Sequence, residues 1–136
     1  MKPFSGLSVM LLEDEYLIAL DAEENLAALG LKDVRVVNTL AGAAVIAERG
    51  DIDVAILDLN INGEMSFGIA EMFRERGVPV VFASGYELGN RIDADLGDAV
   101  HLRKPYTSET LKEALEAALS KPIVRPASAP EIGTQL

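Results

Sequence analysis

Residues 54–60 read VAILDLN. Four apolar residues are followed at once by Asp58, which is the pattern of a buried strand that ends in an acid. Aspartate is also a common turn residue after a strand. The stretch therefore leaves two alternatives for Asp58, which is either a turn residue or the reactive group of the protein.

Four more short apolar runs share the character of this one. They are LSVMLL at 7–12, VRVV at 34–37, VPVVFA at 78–83 and VHL at 100–102. Continuously apolar or valine-rich runs are typical of strands that are buried on both faces of a parallel sheet, and only the last run is short and weaker. The chain is therefore expected to contain five such strands.

The segments between these runs have apolar residues at helical spacing. They cover 15–29, 40–49, 66–76 and 108–120. Glycine follows the first three segments as a helix stop, and Ser66 is the candidate N-cap of the third. Two glycines and an asparagine weaken any helix in 87–97, which predicts a short or mobile element there.

The alternation of strands and helices predicts an α/β fold of the form βαβαβαβαβα. Such a chain forms a doubly wound parallel sheet with right-handed crossovers and helices on both faces. Residues 1–120 are expected to form this single domain, which fits a length of 136 residues. Residues 121–136 hold three prolines among small and polar residues and are predicted to be a flexible tail.

The composition excludes several kinds of site and partner. The formal net charge of −10 argues against a nucleic-acid backbone or an anionic membrane surface as the main partner. The chain has no cysteine and one histidine, which excludes disulfides, cysteine-based zinc sites and multi-histidine metal sites. No apolar run approaches the roughly 18 residues of a membrane span, so a cytoplasmic location is expected.

Chemically useful side chains follow four of the five predicted strands. Glu13 and Asp14 follow the first, Asp58 the third, Ser84, Gly85 and Tyr86 the fourth, and Lys104 and Pro105 the fifth. Open parallel sheets bind ligands at the carboxyl ends of their strands, near the point where strand order reverses. In the order 2-1-3-4-5 the first and third strands are neighbours, so the three acids are expected to converge.

Converging acids need a counter-charge. Two carboxylates about 4 Å apart repel by about 4 kcal/mol at an effective dielectric of about 20, and one of them otherwise takes up a proton. All-oxygen ligands favour Mg²⁺, Mn²⁺ or Ca²⁺, and a small number of protein ligands favours Mg²⁺, usually for phosphoryl chemistry. Taken singly, Glu13 and Asp14 could cap a helix, and Lys104-Pro105 could be an ordinary strand exit. Their joint occurrence favours a site.

This ordered set resembles the receiver domain of bacterial two-component response regulators, over residues 7–120. The matching motifs are Glu13-Asp14, Asp58, Ser84 within FASGY, and Lys104-Pro105. FASGY and the segment DLNINGEMSF also look like the receiver subfamily with a Phe-Ala-Thr-Gly-Tyr signature. The resemblance implies a flavodoxin-like fold with a five-stranded parallel sheet in the order 2-1-3-4-5.

The resemblance implies that Asp58 is the nucleophile that takes a phosphoryl group from a kinase phosphohistidine. Mg²⁺ would be held by Asp14, Asp58 and the backbone carbonyl of Asn60, and Glu13 would help directly or through water. General chemistry agrees, because phosphoryl transfer needs a nucleophile, in-line positioning and neutralisation of spreading negative charge.

Residues at the ends of the fourth and fifth strands would handle the phosphoryl group. The resemblance implies that Lys104 pairs with Asp58 or with a phosphoryl oxygen, and that the Lys104-Pro105 peptide is cis. Ser84 would turn inward to hydrogen-bond the phosphoryl group. Gly85 has no side chain and would leave access for the donor.

His101 stands three residues before the lysine, where receivers usually carry tyrosine or phenylalanine. We interpret His101 as a strand residue near the surface in preference to a switch residue. Tyr86 is close to Ser84 in the sequence, and we hypothesise that it supplies the missing ring.

The leading interpretation is a stand-alone receiver, a phosphorylatable switch in a phosphorelay. It would be a signalling domain and not an enzyme, because it would catalyse only its own phosphorylation and dephosphorylation. Its partners would be a sensor histidine kinase or phosphotransfer protein and a downstream protein, with no nucleic acid and no membrane insertion. The alternatives are a small Mg²⁺-dependent phosphatase or phosphotransferase with an aspartate nucleophile, a flavodoxin-like flavin binder, and a pseudo-receiver that is never phosphorylated.

Overall fold

The structure is a computed structural model that describes residues 4–85 and 99–120. The strands are β1 (Ser8–Leu12), β2 (Asp33–Val37), β3 (Val54–Asp58), β4 (Asn60–Ile61), β5 (Glu64–Met65), β6 (Val80–Ser84) and β7 (Val100–Arg103). The helices are α1 (Tyr16–Ala28), α2 (Leu40–Arg49), α3 (Phe67–Glu75) and α4 (Ser108–Ser120). The predicted segments therefore lie where the sequence placed them, with ends that differ by one or two residues.

Five strands form one parallel sheet in the order β2-β1-β3-β6-β7. Counted over these five strands alone, this is the predicted order 2-1-3-4-5, which is confirmed. The register pairs Asp58 with Ala83 and Ser84 with Arg103. The ends of β3, β6 and β7 therefore stand side by side at one edge of the sheet.

The sheet has an apolar core on each face. One core contains Met10, Phe73 and Phe82 beside α2 and α3, and the other contains Leu26 and Leu115 beside α1 and α4. Every residue of β1, β3 and β6 is buried, as predicted for strands covered on both sides. Helices on both faces account for the continuous apolar runs in these strands.

Strand β2 departs from the prediction of full burial. All five of its residues are only partly buried, because β2 is an edge strand. Its Arg35 is paired with Asp33 and Asp51 at 2.9 and 3.0 Å. A charged side chain is a common feature of sheet edges, which otherwise invite pairing with another strand.

A hairpin of β4 and β5 follows β3 and was not predicted. Asn62 and Gly63 form its turn with φ of 52° and 90°, and positive φ at both central residues is the pattern of a type I′ turn, for which Asn-Gly is preferred. Ser66 occupies the N-cap position of the following helix, as predicted, but its side chain makes no capping hydrogen bond.

Two predicted segments lie outside the described residues, namely the short or mobile element at 87–97 and the flexible tail at 121–136. Within residues 4–85 and 99–120, no helix combines the length and apolar character that crossing a bilayer requires.

Candidate functional site

An open cleft of about 500 Å³ lies at the carboxyl edge of the sheet. Its lining includes Asp14, Asp58, Asn60, Ser84, Gly85, Lys104 and Pro105. The four strand ends that carry the predicted residues therefore contribute to one cleft, as expected for the crevice beside a topological switch point. The one predicted residue that cannot be placed is Tyr86, which lies outside the described residues.

Lys104 is the positive centre of the site. Its Nζ lies 2.9 Å from Oε1 of Glu13 and 3.0 Å from Oδ2 of Asp58, and the exposed Glu15 carboxylate approaches to 3.8 Å. Glu13 and Asp58 are both buried, at 2% and 7% exposure. Buried charges are tolerated when they are paired and hydrogen-bonded, so the ammonium group allows two acids to sit below the surface.

Burial shifts the protonation of these groups. It raises the pKa of Glu13 from 4.5 to about 7, although the hydrogen bond from Lys104 works in the opposite direction. Burial likewise raises the pKa of Asp58 against the opposing effect of Lys104. Burial of the ammonium acts to lower the pKa of Lys104, but the hydrogen bonds to both acids outweigh it and the pKa is raised. Because both carboxyl pKa values are raised, the Lys104 ammonium alone does not neutralise the buried acids.

The acidic cluster consists of Glu13, Asp14 and Asp58. One carboxylate oxygen from each lies within 4.8 Å of the others. Three carboxylates and the Lys104 ammonium sum to a charge of −2 when all are ionised. A hard divalent cation matches this charge and this all-oxygen donor set, so the residues fit the predicted Mg²⁺.

Backbone groups hold two of these acids in place. The N–H of Asn62 donates to Oδ2 of Asp14 at 3.0 Å, and the N–H of Asn60 donates to Oδ1 of Asp58 at 3.4 Å. The side chain of Asn60 accepts from the N–H of Gly63 at 2.8 Å and so belongs to the hairpin. The assignment of the Asn60 carbonyl as a metal ligand stays a prediction.

Ser84 and His101 are joined by a hydrogen bond that the sequence did not indicate. Ser84 Oγ lies 2.5 Å from Nε2 of His101, and the tautomer of the ring decides which atom donates. Ser84 is buried, whereas His101 is partly exposed on β7. His101 is thus a strand residue with some exposure, as interpreted, and it also contacts the predicted phosphoryl-binding hydroxyl.

The turn after β7 positions the lysine. The Lys104-Pro105 peptide is cis, as predicted. The backbone N–H of Lys104 donates to the carbonyl of Ser84 at 2.8 Å. This bond continues the β6–β7 pairing by one residue, so Lys104 and Ser84 enter the cleft from adjacent positions.

Ser66 belongs to the surroundings of the cluster, although its position in the sequence indicated only a helix cap. Its hydroxyl donates to the backbone carbonyl of Asp58 at 2.7 Å, and its side chain is fully buried. Ser66 lies eight residues after Asp58, and no helix or strand periodicity in the sequence links the two residues. The Asn62-Gly63 pair was the available indication, because it predicts a tight turn that returns the chain to β3.

The chain is similar to several solved structures. It is 39% identical to SdrG from Sphingomonas melonis Fr1, with a TM-score of 0.74 over 83% of this chain and 96% of that one. It is 38% identical to the BeF3-activated conformation of SdrG from Pseudomonas melonis Fr1, with a TM-score of 0.72 over 82% and 95% of the two chains. A response regulator receiver protein from Sinorhizobium medicae WSM419 is 27% identical, with a TM-score of 0.74 over 83% and 94%.

No protein-family model and no curated protein matches the chain. The identity to SdrG nevertheless extends over almost the whole of that protein. The sheet order and the cleft at its carboxyl edge agree with the same assignment. The chain belongs to the receiver-domain family of response regulators.

Proposed function

We propose that this protein is a phosphorylatable switch in which Asp58 accepts a phosphoryl group from a histidine kinase or a phosphotransfer protein. The observation that carries the proposal is the position of Asp58, whose carboxylate lies in the cleft with Lys104 Nζ at 3.0 Å. An Asp58 oxygen would form a bond to phosphorus while the bond from phosphorus to the donor imidazole breaks. The product is an acyl phosphate on Asp58 and a free histidine on the donor.

The chain supplies charge neutralisation and positioning for this transfer. Asp58 loses its own negative charge when it becomes an acyl phosphate, so Lys104 can pair with a phosphoryl oxygen while it keeps Glu13 as its second partner. Mg²⁺ held by Glu13, Asp14, Asp58 and the Asn60 carbonyl would neutralise the remaining charge. Gly85 lines the cleft with no side chain and leaves room for the donor.

Ser84 and His101 are the proposed readout of phosphorylation within the described residues. The Ser84 hydroxyl can donate its proton to a phosphoryl oxygen only if His101 Nε2 does not accept that same proton. Phosphorylation would therefore require the pair to change its hydrogen bonding. The reorganisation would pass from the cleft to β7, where His101 is partly exposed.

The wider setting of the switch is also a proposal. We infer a cytoplasmic signalling domain of the Phe-Ala-Thr-Gly-Tyr subfamily that acts through protein partners. The net charge of −10 supports protein partners over nucleic acid. Domain limits of 1–120 and a tail at 121–136 belong to the same proposal.

The test is labelling with a small acyl phosphate in the presence of Mg²⁺, followed by intact-mass measurement. Wild-type protein should gain one phosphoryl group and Asp58→Asn should gain none. Asp53→Asn is the matched control. Asp53 directly precedes the first residue of β3, at the opposite end of the strand from Asp58, and its carboxylate accepts a hydrogen bond from the Ser8 N–H at 2.8 Å. Labelling of Asp58→Asn would overturn the proposal, and rapid hydrolysis of many phosphorylated metabolites would favour the small phosphatase instead.

A further inference from the structure

The β4–β5 hairpin begins two residues after Asp58 and leads back to it. Ser66, which follows the second strand, donates its hydroxyl to the Asp58 carbonyl at 2.7 Å and its N–H to the Leu59 carbonyl at 2.9 Å. Its exposure is 0%, so the hydroxyl is shielded from bulk solvent. Both ends of the hairpin are thus fixed to the end of β3.

The turn of the same hairpin contacts a second acid. Asn62 N–H donates to Oδ2 of Asp14, which comes from the end of β1. The turn is closed by the bond from Gly63 N–H to Oδ1 of Asn60 at 2.8 Å. A single short segment therefore contacts Asp58 at its base and Asp14 at its tip.

The hydroxyl of Ser66 has no role in starting α3, because it makes no capping hydrogen bond. A fully buried hydroxyl is unfavourable unless it is hydrogen-bonded, and an alanine would pack in nearly the same space. The bonds to the carbonyls of Asp58 and Leu59 are the partners that satisfy it. The buried hydroxyl is therefore explained by its bonds to the end of β3, which hold the hairpin in place, and not by helix capping.

We propose that Ser66 is a positioning residue for the acidic cluster. By anchoring the base of the hairpin to the Asp58 carbonyl, Ser66 keeps the Asn62 N–H against Asp14. The two carboxylates are thereby presented together to a divalent cation. This inference rests on the proposed function, since it names the residue that prepares the same site for its metal.

The main test is a Mg²⁺ titration of the unphosphorylated protein, followed by calorimetry or by amide chemical shifts. Ser66→Ala should weaken Mg²⁺ binding by about tenfold, which is the lower range for groups that orient metal ligands. Ser120→Ala is the matched control. The Ser120 hydroxyl also donates to a backbone carbonyl, that of Ala117 at 3.1 Å, but it lies at the exposed end of α4. The binding curve of this variant should match that of wild type.

Two further measurements distinguish the loss of the Ser66 anchor of the hairpin from a general loss of protein stability. Hydrogen exchange of the Asn62 amide, measured without Mg²⁺, should be faster in Ser66→Ala and unchanged in Ser120→Ala. Ile69→Val removes a methylene group from the buried face of α3 without touching these hydrogen bonds. It should lower the Tm while leaving Mg²⁺ affinity and Asn62 exchange as in wild type.

Asn60→Ala gives an independent test if Ser66→Ala fails to fold. It removes the exposed side-chain oxygen at the start of β4 that accepts from the Gly63 N–H in the turn, and it should also speed Asn62 exchange and weaken Mg²⁺ binding. Wild-type affinity and exchange in Ser66→Ala or in Asn60→Ala, or an equal loss in Ile69→Val, would overturn the inference. Failure of acyl phosphate labelling in wild type would instead count against the proposed function, because the exchange measurement needs neither phosphate nor metal.

Discussion

Lys104 Nζ lies 3.0 Å from Oδ2 of Asp58, although the two residues are 46 positions apart in the chain. The same ammonium lies 2.9 Å from Glu13. One cation therefore supports two buried acids at the ends of two different strands, and its removal should affect both stability and phosphorylation. The pairing also explains how the Asp58 carboxylate can lie below the surface in its ionised form.

Lys104→Met should lower the free energy of unfolding of the metal-free protein by about 3 kcal/mol at neutral pH, because it leaves buried charges unpaired. The loss should shrink at acid pH, where Glu13 and Asp58 can take up protons instead. Urea unfolding at the two pH values measures this difference. Lys112→Met, on the exposed face of α4, is the control and should change stability little at either pH. An equal loss for Lys104→Met at both pH values would contradict the argument.

The metal-free wild-type protein should lose stability as the pH rises from about 4.5 to about 7. Burial raises the pKa of Glu13 to about 7 from 4.5, so in this range the folded state holds a proton that the unfolded state has released. More protons bound in the folded state give a negative slope of unfolding free energy with pH, worth up to about 3 kcal/mol for this group. The raised pKa of Asp58 acts in the same direction.

Urea unfolding in the presence of a chelator measures this pH dependence. Glu13→Gln removes the titrating group and should flatten the curve. Saturating Mg²⁺ should also flatten it, since a bound cation favours the ionised carboxylates. Stability of the chelated wild type that rises steadily over the same range would contradict the raised pKa.

His101→Ala should leave phosphorylation by a small acyl phosphate within about threefold of wild type, because His101 contacts Ser84 and not Asp58. The response of β7 to phosphorylation should be lost. Amide chemical shifts of β6 and β7 before and after labelling check this expectation. Ser84→Ala should lose the same response, and the double variant should lose no more than either alone, since the two side chains act as one unit. A full β7 response in His101→Ala would remove His101 from the switch.

The sheet could be predicted from the sequence because its signal is local. Each strand is a short apolar run, and the acids, serine and lysine directly follow those runs, so placing the strands also placed Asp58, Ser84 and Lys104. The strand order 2-1-3-4-5 came from the resemblance to receivers, and right-handed crossovers are compatible with it. The cis peptide before Pro105 came from that resemblance as well.

The hairpin and the Ser84–His101 bond could not be predicted in the same way. Each strand of the hairpin has only two residues, which is too short for an alternating pattern. Ser66 looked like a helix cap because serine before an apolar helix usually is one. The His101 ring reaches Ser84 only because β6 and β7 pair in parallel with a particular register, and sequence spacing does not specify that register.

Tyr106→Phe should raise the free energy of unfolding by about 1 kcal/mol, because the phenol oxygen is buried and finds no hydrogen-bond partner among residues 4–85 and 99–120. Its ring packs in the core beside α4, and phenylalanine keeps that packing. Urea unfolding is the measurement. Tyr16→Phe is the control, since Tyr16 is 75% exposed and should change stability little. A clear loss of stability in Tyr106→Phe would show that the hydroxyl has a partner.

Mg²⁺ should stabilise the wild-type protein, and Asp14→Asn should reduce that effect. A ligand that binds only the folded state adds about 1.4 kcal/mol at ten times its Kd, which appears as a rise in Tm. Asp14 offers one of the three clustered carboxylate oxygens, and an amide is a weaker ligand for a hard cation than a carboxylate. Asp21→Asn, on the exposed side of α1, is the control and should keep the full rise. Equal Mg²⁺-dependent shifts of the Tm in wild type and Asp14→Asn would mean that the cation binds elsewhere. The negative charge of the acidic cluster would then be neutralised by Lys104 and by bound protons alone.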